Sequence, residues 1–550
     1  MSRRQTLIAA VLIPLAVLGV SPLCLAHAEE DPEPMPRSVE RPAPIPTPEW
    51  FDLDGHLRTR WGLLMNLDLD RGLTPSTGQP IFPVPLNGGQ LLGGADARVR
   101  LDLGVHVGQL VAAHVRIDAL DGLALGSTPE GFPADRWAQT PWAGLGQVAP
   151  STGVNAFVDS IKLEHAWGEV MTPVGVLVFG RMPLPRWGLG IVTGADEDLD
   201  DDFDHAVDRL GFATSLGDHI LGGSLDINAI GPTTATSTGG TSNREQVDLA
   251  LADNLYTLSL SFMRLHDDAS VSRRRVAGKP TFAYGSYATF RFQQVDFPTY
   301  YLGGIASEDA TFTDADAVAR KMWALMIDGW LRADVGPLRL EVELAYMHAH
   351  VGDASLVPGI SVPTLRGDQV GAALQIEGEA VTNTLWLELG AGLATGDPAP
   401  GLGVAPPVGQ VTSRAGDLDG PQFDLSGDSR IDNFRFHPNF RVDQIFWRRI
   451  VGAVTDAVYV RPALTWRPAK TLEVALSGTV SFAMQRSSTP GDHPLYGGEL
   501  DLGLNWSPAP GFVARVEGAV FVPGPGLNNV ADGLGAKPAG LARTVLAVVF

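Results

Sequence analysis

Residues 51–70, with the sequence FDLDGHLRTRWGLLMNLDLD, alternate between apolar and polar side chains. The apolar residues occupy odd positions, as in Leu53 and Leu57, and the polar residues occupy even positions, as in Asp52 and Arg58. Successive side chains of an extended strand point to opposite faces, whereas a helix would scatter the same residues around its circumference. The pattern therefore predicts a β-strand with one apolar face and one charged face.

The same alternation recurs along the rest of the chain and is typical of an all-β fold. Many of the segments are long enough to cross a bilayer as tilted strands. The candidate strands are 51–69, 95–107, 109–119, 155–168, 173–182, 209–216, 219–229, 245–253, 255–265, 281–293, 319–334, 337–349, 367–378, 381–395, 453–467, 471–486, 496–507, 511–523 and 540–550. Their number is odd, whereas bacterial single-chain barrels have an even number, so we predict about 18–20 strands. The segment 296–305 is the best candidate for a missed strand, and 209–216 is the weakest inclusion.

The connections between the candidate strands alternate in length. Turns such as 468–470 and 508–510 are tight, whereas stretches such as 396–440 are long and rich in Gly, Pro, Asp and Ser. This alternation predicts a transmembrane antiparallel up-and-down β-barrel with short periplasmic turns and long extracellular loops. Trp466 and Trp506 directly precede the two turns, which suits an aromatic girdle at the membrane interface or, alternatively, a packed soluble hairpin.

The composition excludes several functional classes. The 550 residues contain 40 Lys and Arg against 62 Asp and Glu, a formal charge of −22, whereas a nucleic-acid-binding protein needs a basic face. Charged residues make up only 19%, and the apolar fraction of 45% is too high for a disordered chain. The motifs of serine hydrolases, zinc proteases and phosphate-binding loops are absent from the sequence, which predicts no enzyme and no cofactor.

The N-terminal region divides into two segments. Residues 1–28 combine a basic start, an apolar run and small residues near Ala28, which predicts a secretory signal peptide. A membrane anchor is the less favoured alternative, because the apolar run is shorter than the ~20 residues of a spanning helix. Cleavage after Ala28 removes Cys24, the only cysteine. Residues 29–49 are proline-rich and predict an extended periplasmic linker, which leaves 50–550 for the barrel.

The end of the chain favours the outer membrane. The last candidate strand places four residues on one face: Thr544, Leu546, Val548 and Phe550. This pattern resembles the C-terminal signal by which bacterial outer-membrane barrels are recognised for insertion. The resemblance implies outer-membrane lipid and the barrel-insertion machinery as partners. Alternation also occurs in soluble sandwiches, but a terminal strand that closes a cylinder leaves no unpaired edge in lipid.

An acidic run lies in the long stretch 183–208. Carboxylates recur at every second residue in Asp198, Asp200, Asp202 and Asp204. Carboxylates side by side on an extended segment repel one another, so they need solvent, Ca²⁺ or facing arginines. The glycine and the final glutamate of an EF-hand loop are missing, and no dedicated metal site is predicted. The alternatives are a solvated loop, an acidic stripe along the lumen, and a Ca²⁺ site.

A basic segment follows the long loop at 396–440. It contains Arg435, Arg441, Arg448 and Arg449, and the apolar residues among them have helical spacing. This spacing predicts a short helix near the rim or inside the pore. Arginines that face the acidic run would form a pore constriction with a transverse field, which orients anionic or zwitterionic solutes. The alternative is that these are rim arginines paired with carboxylates.

Three stretches carry a resemblance to a known group of proteins. They are GRMPLPRWGLG at 180–190, DDDFDHAVDR at 200–209, and NFRFHP at 433–438 together with residues 441–460. These stretches resemble an uncharacterised family of large proteobacterial outer-membrane proteins, for which no substrate or catalytic residue is known. More generally, residues 50–550 are similar to porin-type outer-membrane proteins.

The sequence therefore predicts a porin-like channel for passive diffusion of small polar solutes across the outer membrane. The alternative is a non-conducting barrel that acts as a binding or envelope scaffold through its extracellular loops. Stepwise single-channel currents of the purified protein distinguish the two, because only an open pore conducts.

Overall fold

The computed structural model describes residues 50–80, 82, 89–124, 161–195, 198–203, 206–228, 253–297, 314–355, 357–360, 362–402, 414–418 and 429–550. The predicted signal peptide at 1–28 and the predicted linker at 29–49 lie outside these residues and stay predictions. The wall of the fold begins at Phe51, close to the predicted start at residue 50.

Eighteen antiparallel strands form one sheet in the described part of the chain. Each strand pairs with its neighbours in sequence. The strands are β1 (Phe51–Met65), β2 (Leu91–Val107), β3 (Val111–Ala124), β4 (Ile161–Thr172), β5 (Gly175–Pro183), β6 (Ala206–Leu216), β7 (His219–Asn228), β8 (Leu255–Arg264), β9 (Thr281–Gln293), β10 (Met322–Val335), β11 (Leu338–Val351), β12 (Leu365–Val381), β13 (Leu385–Ala394), β14 (Ala457–Ala469), β15 (Leu472–Ala483), β16 (Leu495–Trp506), β17 (Phe512–Pro523) and β18 (Ala539–Val549).

The sheet closes on itself through the first and last strands. β1 and β18 pair from His56 opposite Val549 to Met65 opposite Gly540. Closure leaves no strand edge with unpaired backbone groups, which lipid would not tolerate. The predicted all-β, up-and-down transmembrane barrel is confirmed, with a strand number inside the predicted range.

The observed strands agree closely with the candidates. The weakest candidate, 209–216, is part of the wall, because β6 covers it. The candidate at 245–253 lies almost wholly outside the described residues, and the wall closes without it because β7 pairs directly with β8. The segment 296–305 also lies outside them, except for Asp296 and Phe297.

The first strand is shorter than the alternation predicts. It ends at Met65, whereas the candidate continued to residue 69. Asn66 adopts a left-handed conformation with φ 56°, which interrupts an extended strand. Leu69 is then completely buried instead of facing outward.

The two faces of the wall differ as predicted. On β1 the outward residues Leu57, Trp61 and Leu63 are exposed, whereas the inward Arg58 is buried. Arg98 on β2 likewise points inward and is buried. An apolar outer surface around a polar interior is the architecture of outer-membrane barrels. The protein is therefore an outer-membrane β-barrel with an apolar outer face.

Tight turns and long connections lie at opposite ends of the barrel. The wall begins at Phe51 and ends at Val549, both at the tight-turn end, which is periplasmic in such barrels. Trp466 and Trp506 are exposed at this end, as an interfacial girdle requires. One connection here is longer than the others, because residues 265–280 contain the helix α1.

Helical structure is scarce in the described residues. It consists of α1 (Asp268–Val276), three 3₁₀ turns and one π-helical turn. The 3₁₀ turns are Asp314–Asp316, Arg486–Ser488 and Pro525–Leu527, and the π-helical turn is Phe446–Val451. No helix in the part of the chain that the structure describes is long and apolar enough to cross a membrane.

Candidate functional site in the barrel lumen

The described parts of two connections from the long-loop end fold into the barrel interior. We call them L3 (residues 184–205, between β5 and β6) and L7 (residues 395–456, between β13 and β14). Their apolar side chains form one cluster, which includes Ile191 of L3 and Phe436 and Ile445 of L7. The same cluster contains inward residues of the wall, so both loops pack against it.

Small wall residues make room for L7. A Cβ atom added to Gly371 of β12 would lie 2.2 Å from the ring of Phe434 in L7. This distance is far below van der Waals contact, so only glycine allows the ring to pack there. The wall and L7 are therefore matched in shape.

A short helical turn in L7 has its N-terminus fixed to the wall. The carboxylate of Glu499 on β16 accepts hydrogen bonds from the backbone N–H groups of Gln444 (2.8 Å), Ile445 (2.7 Å) and Phe446 (3.0 Å). Carboxylates favour the positive end of a helical turn. Burial, together with the nearby Asp501, raises the pKa of Asp443 in this loop to about 8. The predicted short helix inside the barrel is thus present as a π-helical turn.

A tight turn of L3, residues 198–202, carries the predicted acidic residues. Asp200 lies at its centre, and its side chain is only 1% exposed. Its carboxylate contacts four guanidinium groups, two from the wall and two from L7. They belong to Arg60 (3.2 Å), Arg441 (3.2 Å), Arg448 (2.5 Å) and Arg543.

The flanking carboxylates of this turn also meet wall arginines. Asp202 lies 2.7 Å from Arg60 and 3.5 Å from Arg58, and Asp198 lies 3.5 Å from Arg515. Arg58 also donates to the backbone carbonyl of Leu199 at 2.6 Å. These arginines come from strands β1 and β17, which lie on either side of β18. One sector of the wall therefore presents a basic surface that holds the acidic turn.

Facing arginines supply the positive charge next to the acidic residues. Burial acts to raise the pKa of Asp202, but attraction to Arg60 and Arg58 holds it below its usual value. Burial and the neighbouring Arg448 lower the pKa of Arg441 to about 10, so it stays charged at neutral pH. In the described residues, no group of three His, Cys, Asp or Glu side chains is placed to hold a metal ion. The sequence analysis required solvent, Ca²⁺ or facing arginines beside such a run, and in the described residues arginines face it.

The predicted constriction residues do not all converge. Two of the four predicted arginines meet the acidic turn, as described above. Asp204 lies outside the described residues, and Arg449 forms no ion pair with the described carboxylates. Arg435 points away from the turn, donates to the backbone carbonyl of Val451 at 2.6 Å, and lines a cavity on the other side of L7.

A cavity of about 400 Å³ remains open in the lumen along β5–β12. Wall residues with hydroxyl groups line part of it, and L3 and L7 line the rest. The lining includes Thr257, Ser259, Ser261, Thr289, Arg209, Asp226, Arg291, Trp187, Phe434 and Arg435. Among the described residues, L3 and L7 pack against one part of the wall, and the cavity lies between these loops and strands β5–β12.

The sequence analysis missed the residues that hold L3 beside this cavity. Trp187 packs edge-on against Tyr287 of β9, with ring centroids 4.9 Å apart. The carboxylate of Glu343 on β11 accepts the backbone N–H of Gly190 at 2.8 Å. Trp187 and Gly190 fall within the stretch that carried the family resemblance, but nothing in the sequence indicates their partners on the wall.

The sequence analysis also missed the charged residues of the cavity wall. Arg209 and Asp226 form a bidentate ion pair across β6 and β7, with distances of 2.6 and 2.8 Å. Arg291 of β9 donates to the hydroxyl of Thr257 at 3.2 Å. The polar face of the alternating pattern contains these residues, which is the only signal for them in the sequence.

The predicted insertion signal lies on the outer face of β18. Leu546, Val548 and Phe550 are exposed there, and Thr544 is half-buried on the same face. The backbone N–H of Phe550 donates to Gly55 at 3.0 Å, so the last residue takes part in closing the barrel. The role of these four residues in insertion stays a prediction.

In comparisons with known proteins, no family model matches the chain, and no curated protein matches it. Several solved structures are similar over 91% of this chain. OccK11 (OpdR) of Pseudomonas aeruginosa is 9% identical with a TM-score of 0.45 over 97% of its own chain. OpdL of Pseudomonas aeruginosa is 10% identical with a TM-score of 0.44 over 98%, and OmpT, an outer membrane protein of Vibrio cholerae, is 8% identical with a TM-score of 0.35 over 97%.

Proposed function

We propose that the protein is an outer-membrane channel for the passive diffusion of small polar solutes. The observation that carries the proposal is the cavity inside the barrel beside β5–β12, which charged and hydroxyl side chains help to line. Arg291 and Arg435 have exposed surface inside the barrel, so the cavity beside them has room for water. A wet, charged lumen with hydroxyl groups on its wall suits solutes that lipid excludes.

In this proposal, the predicted constriction residues have two different tasks. Asp200 pairs with Arg441 and Asp198 pairs with Arg515, and so they shape the lumen by holding L3 to L7 and to the wall. Arg435 faces the cavity and is the predicted arginine that meets a passing solute. The transverse field predicted from the sequence then acts at the cavity through Arg435 and Arg291 instead of through the acidic turn.

Single-cysteine labelling in planar bilayers tests this path. The only cysteine of the chain is Cys24, which the predicted cleavage removes, so an introduced thiol is unique in the mature protein. Ser259→Cys places a thiol in the cavity wall. An anionic methanethiosulfonate reagent should reach it and reduce the single-channel current, because the attached group narrows the path.

Ser481→Cys is the matched control. Ser481 also faces the lumen, but it is buried under L7 and accepts a hydrogen bond from Trp447 at 2.9 Å. Its current should not change on treatment with the reagent. Equal inhibition of both variants would refute the path along β5–β12. Absence of any current from a folded, heat-modifiable barrel would refute the channel and favour the scaffold.

A further inference from the structure

Two arginines in the cavity lack the ion pairs that hold most other arginines of the lumen. Arg209 is neutralised by Asp226, but neither Arg291 nor Arg435 forms an ion pair with a described carboxylate. Arg291 donates to the hydroxyl of Thr257, and Arg435 donates to a backbone carbonyl, so each keeps further N–H groups free for a ligand. The cavity therefore presents two arginines that form no ion pair with a described carboxylate, and Asp226, the carboxylate in its lining, is already paired with Arg209.

The rest of the cavity is largely apolar. L3 contributes Trp187, L7 contributes Phe434, and the wall contributes Val178, Met326 and Met347. A ligand pocket of this kind binds the apolar body of a ligand on such side chains and fixes its orientation through a few polar groups. Methionine and aromatic side chains suit flat or branched apolar groups.

We infer that this cavity is a binding site for small carboxylates with an apolar, preferably aromatic, body. The carboxylate binds Arg291 and Arg435, whose planar guanidinium groups match its geometry. The apolar body packs against Trp187, Met326 and Met347. The inference rests on the proposed channel function and names the class of solute that the channel takes.

Isothermal titration calorimetry of the detergent-solubilised barrel tests the inference without any need for conduction. The probes are benzoate, which carries both features, gluconate, which has the charge without the apolar body, and benzyl alcohol, which has the ring without the charge. Benzoate should bind saturably and more tightly than the other two. Equal binding of gluconate would overturn the apolar part of the inference, and equal binding of benzyl alcohol would overturn the ionic part.

Arg291→Gln and Arg435→Gln identify the site. Each substitution should raise the dissociation constant of benzoate at least about tenfold, as expected for loss of a hydrogen bond to a charged group. Arg332→Gln is the matched control, since it removes a lumen arginine that pairs with Asp334 outside the cavity lining and should leave the affinity unchanged. An equal effect of Arg332→Gln and Arg291→Gln would overturn the assignment.

Conductance of the same preparations separates the two proposals. A barrel that conducts KCl but shows no saturable benzoate binding refutes the binding site and leaves the channel intact. A barrel that binds benzoate and never conducts refutes the channel and leaves the binding site. The expected result is conduction together with a current that benzoate reduces in the wild type and much less in Arg291→Gln.

Discussion

Replacing Asp200 by asparagine tests whether the acidic turn is what holds L3 against the wall. The substitution keeps the shape of the side chain and removes its charge. The guanidinium groups that share this carboxylate come from Arg60, Arg441, Arg448 and Arg543. After the change, these four cations remain close together without the anion between them.

The expected magnitude follows from the burial and the distances. At 3.2 Å, one pair of unit charges attracts by about 5 kcal/mol when the effective dielectric constant is about 20. Desolvation offsets much of this attraction, and removing one partner of a buried ion pair costs about 3–5 kcal/mol in practice. Asp198 provides the comparison, because its side chain is 41% exposed and its contact with Arg515 is 3.5 Å long. Asp198→Asn should cost less than about 1 kcal/mol.

Hydrogen exchange measured by mass spectrometry reports this loss locally. The relevant amides are those of residues 198–203, including the N–H of Asp201, which donates to the carbonyl of Asp198 at 3.0 Å. A loss of 3–5 kcal/mol in local stability corresponds to exchange that is faster by about two to three and a half orders of magnitude. Exchange in the paired strands β14–β17 should not change, which shows that the barrel stays folded.

Two outcomes would contradict the reasoning about Asp200. If Asp200→Asn and Asp198→Asn accelerate hydrogen exchange equally, the burial of Asp200 among four arginines adds no local stability. Unchanged exchange in Asp200→Asn would mean that the apolar contacts of Leu189 and Ile191 hold the turn in place without the charge.

Two further predictions concern the stability of L7 packed inside the barrel. Burial raises the pKa of Asp456 to about 6 from its ordinary value of 3.8, so the docked state favours the protonated carboxyl. The stability that the protonated carboxyl of Asp456 contributes is complete below its ordinary pKa of 3.8 and is lost as the pH rises through about 6. The melting temperature in detergent should therefore fall from pH 4 to pH 7 more in the wild type than in Asp456→Asn. Parallel curves for the two proteins would contradict the assignment. Gly371→Ala should destabilise L7 by about 1–3 kcal/mol because its Cβ meets the ring of Phe434, and faster tryptic cleavage of L7 would report it. Gly390→Ala, whose Cβ would lie 3.6 Å from the nearest atom, is the control and should be cleaved at the wild-type rate.

The wall of the barrel could be predicted from the sequence because its determinant is local. Alternation with a period of two is visible within a single strand, as in β1 and β11, and it determines which face of the wall is apolar. The prediction was wrong where a single residue changes the backbone locally. Asn66 ends β1 early through its left-handed conformation, and the alternation that continues to residue 69 gave no sign of this.

The contents of the lumen could be predicted only in part, because they depend on contacts between distant segments. Attraction between an acidic and a basic segment was a reasonable expectation from charge, and Asp200 does meet Arg441 and Arg448. The position of Arg435 could not follow from charge, because its side chain is directed by the packing of Phe434 and Phe436 on either side of it. Arg291 is one of many polar residues on the inward faces of strands. Whether a carboxylate pairs with it depends on the neighbouring strands and loops, so the sequence of its own strand could not show that it has no such partner among the described residues.

The wall residues of each sector account for where L7 packs and where the cavity lies. Around β12 and β13 the inward positions are small, as at Gly371 and Ala394, and they leave a concave wall into which the apolar side chains of L7 fit. Around β7 to β9 the inward positions are Ser224, Ser259 and Thr289, whose hydroxyl groups would lose hydrogen bonds to water under an apolar plug. L7 therefore packs well against the first sector, and the wall hydroxyl groups that it does cover keep hydrogen-bond partners, as Ser481 does with Trp447. The cavity stays open where displacing water from the wall is more unfavourable in free energy than apolar packing against it is favourable. A solute with its own polar group can replace the water there.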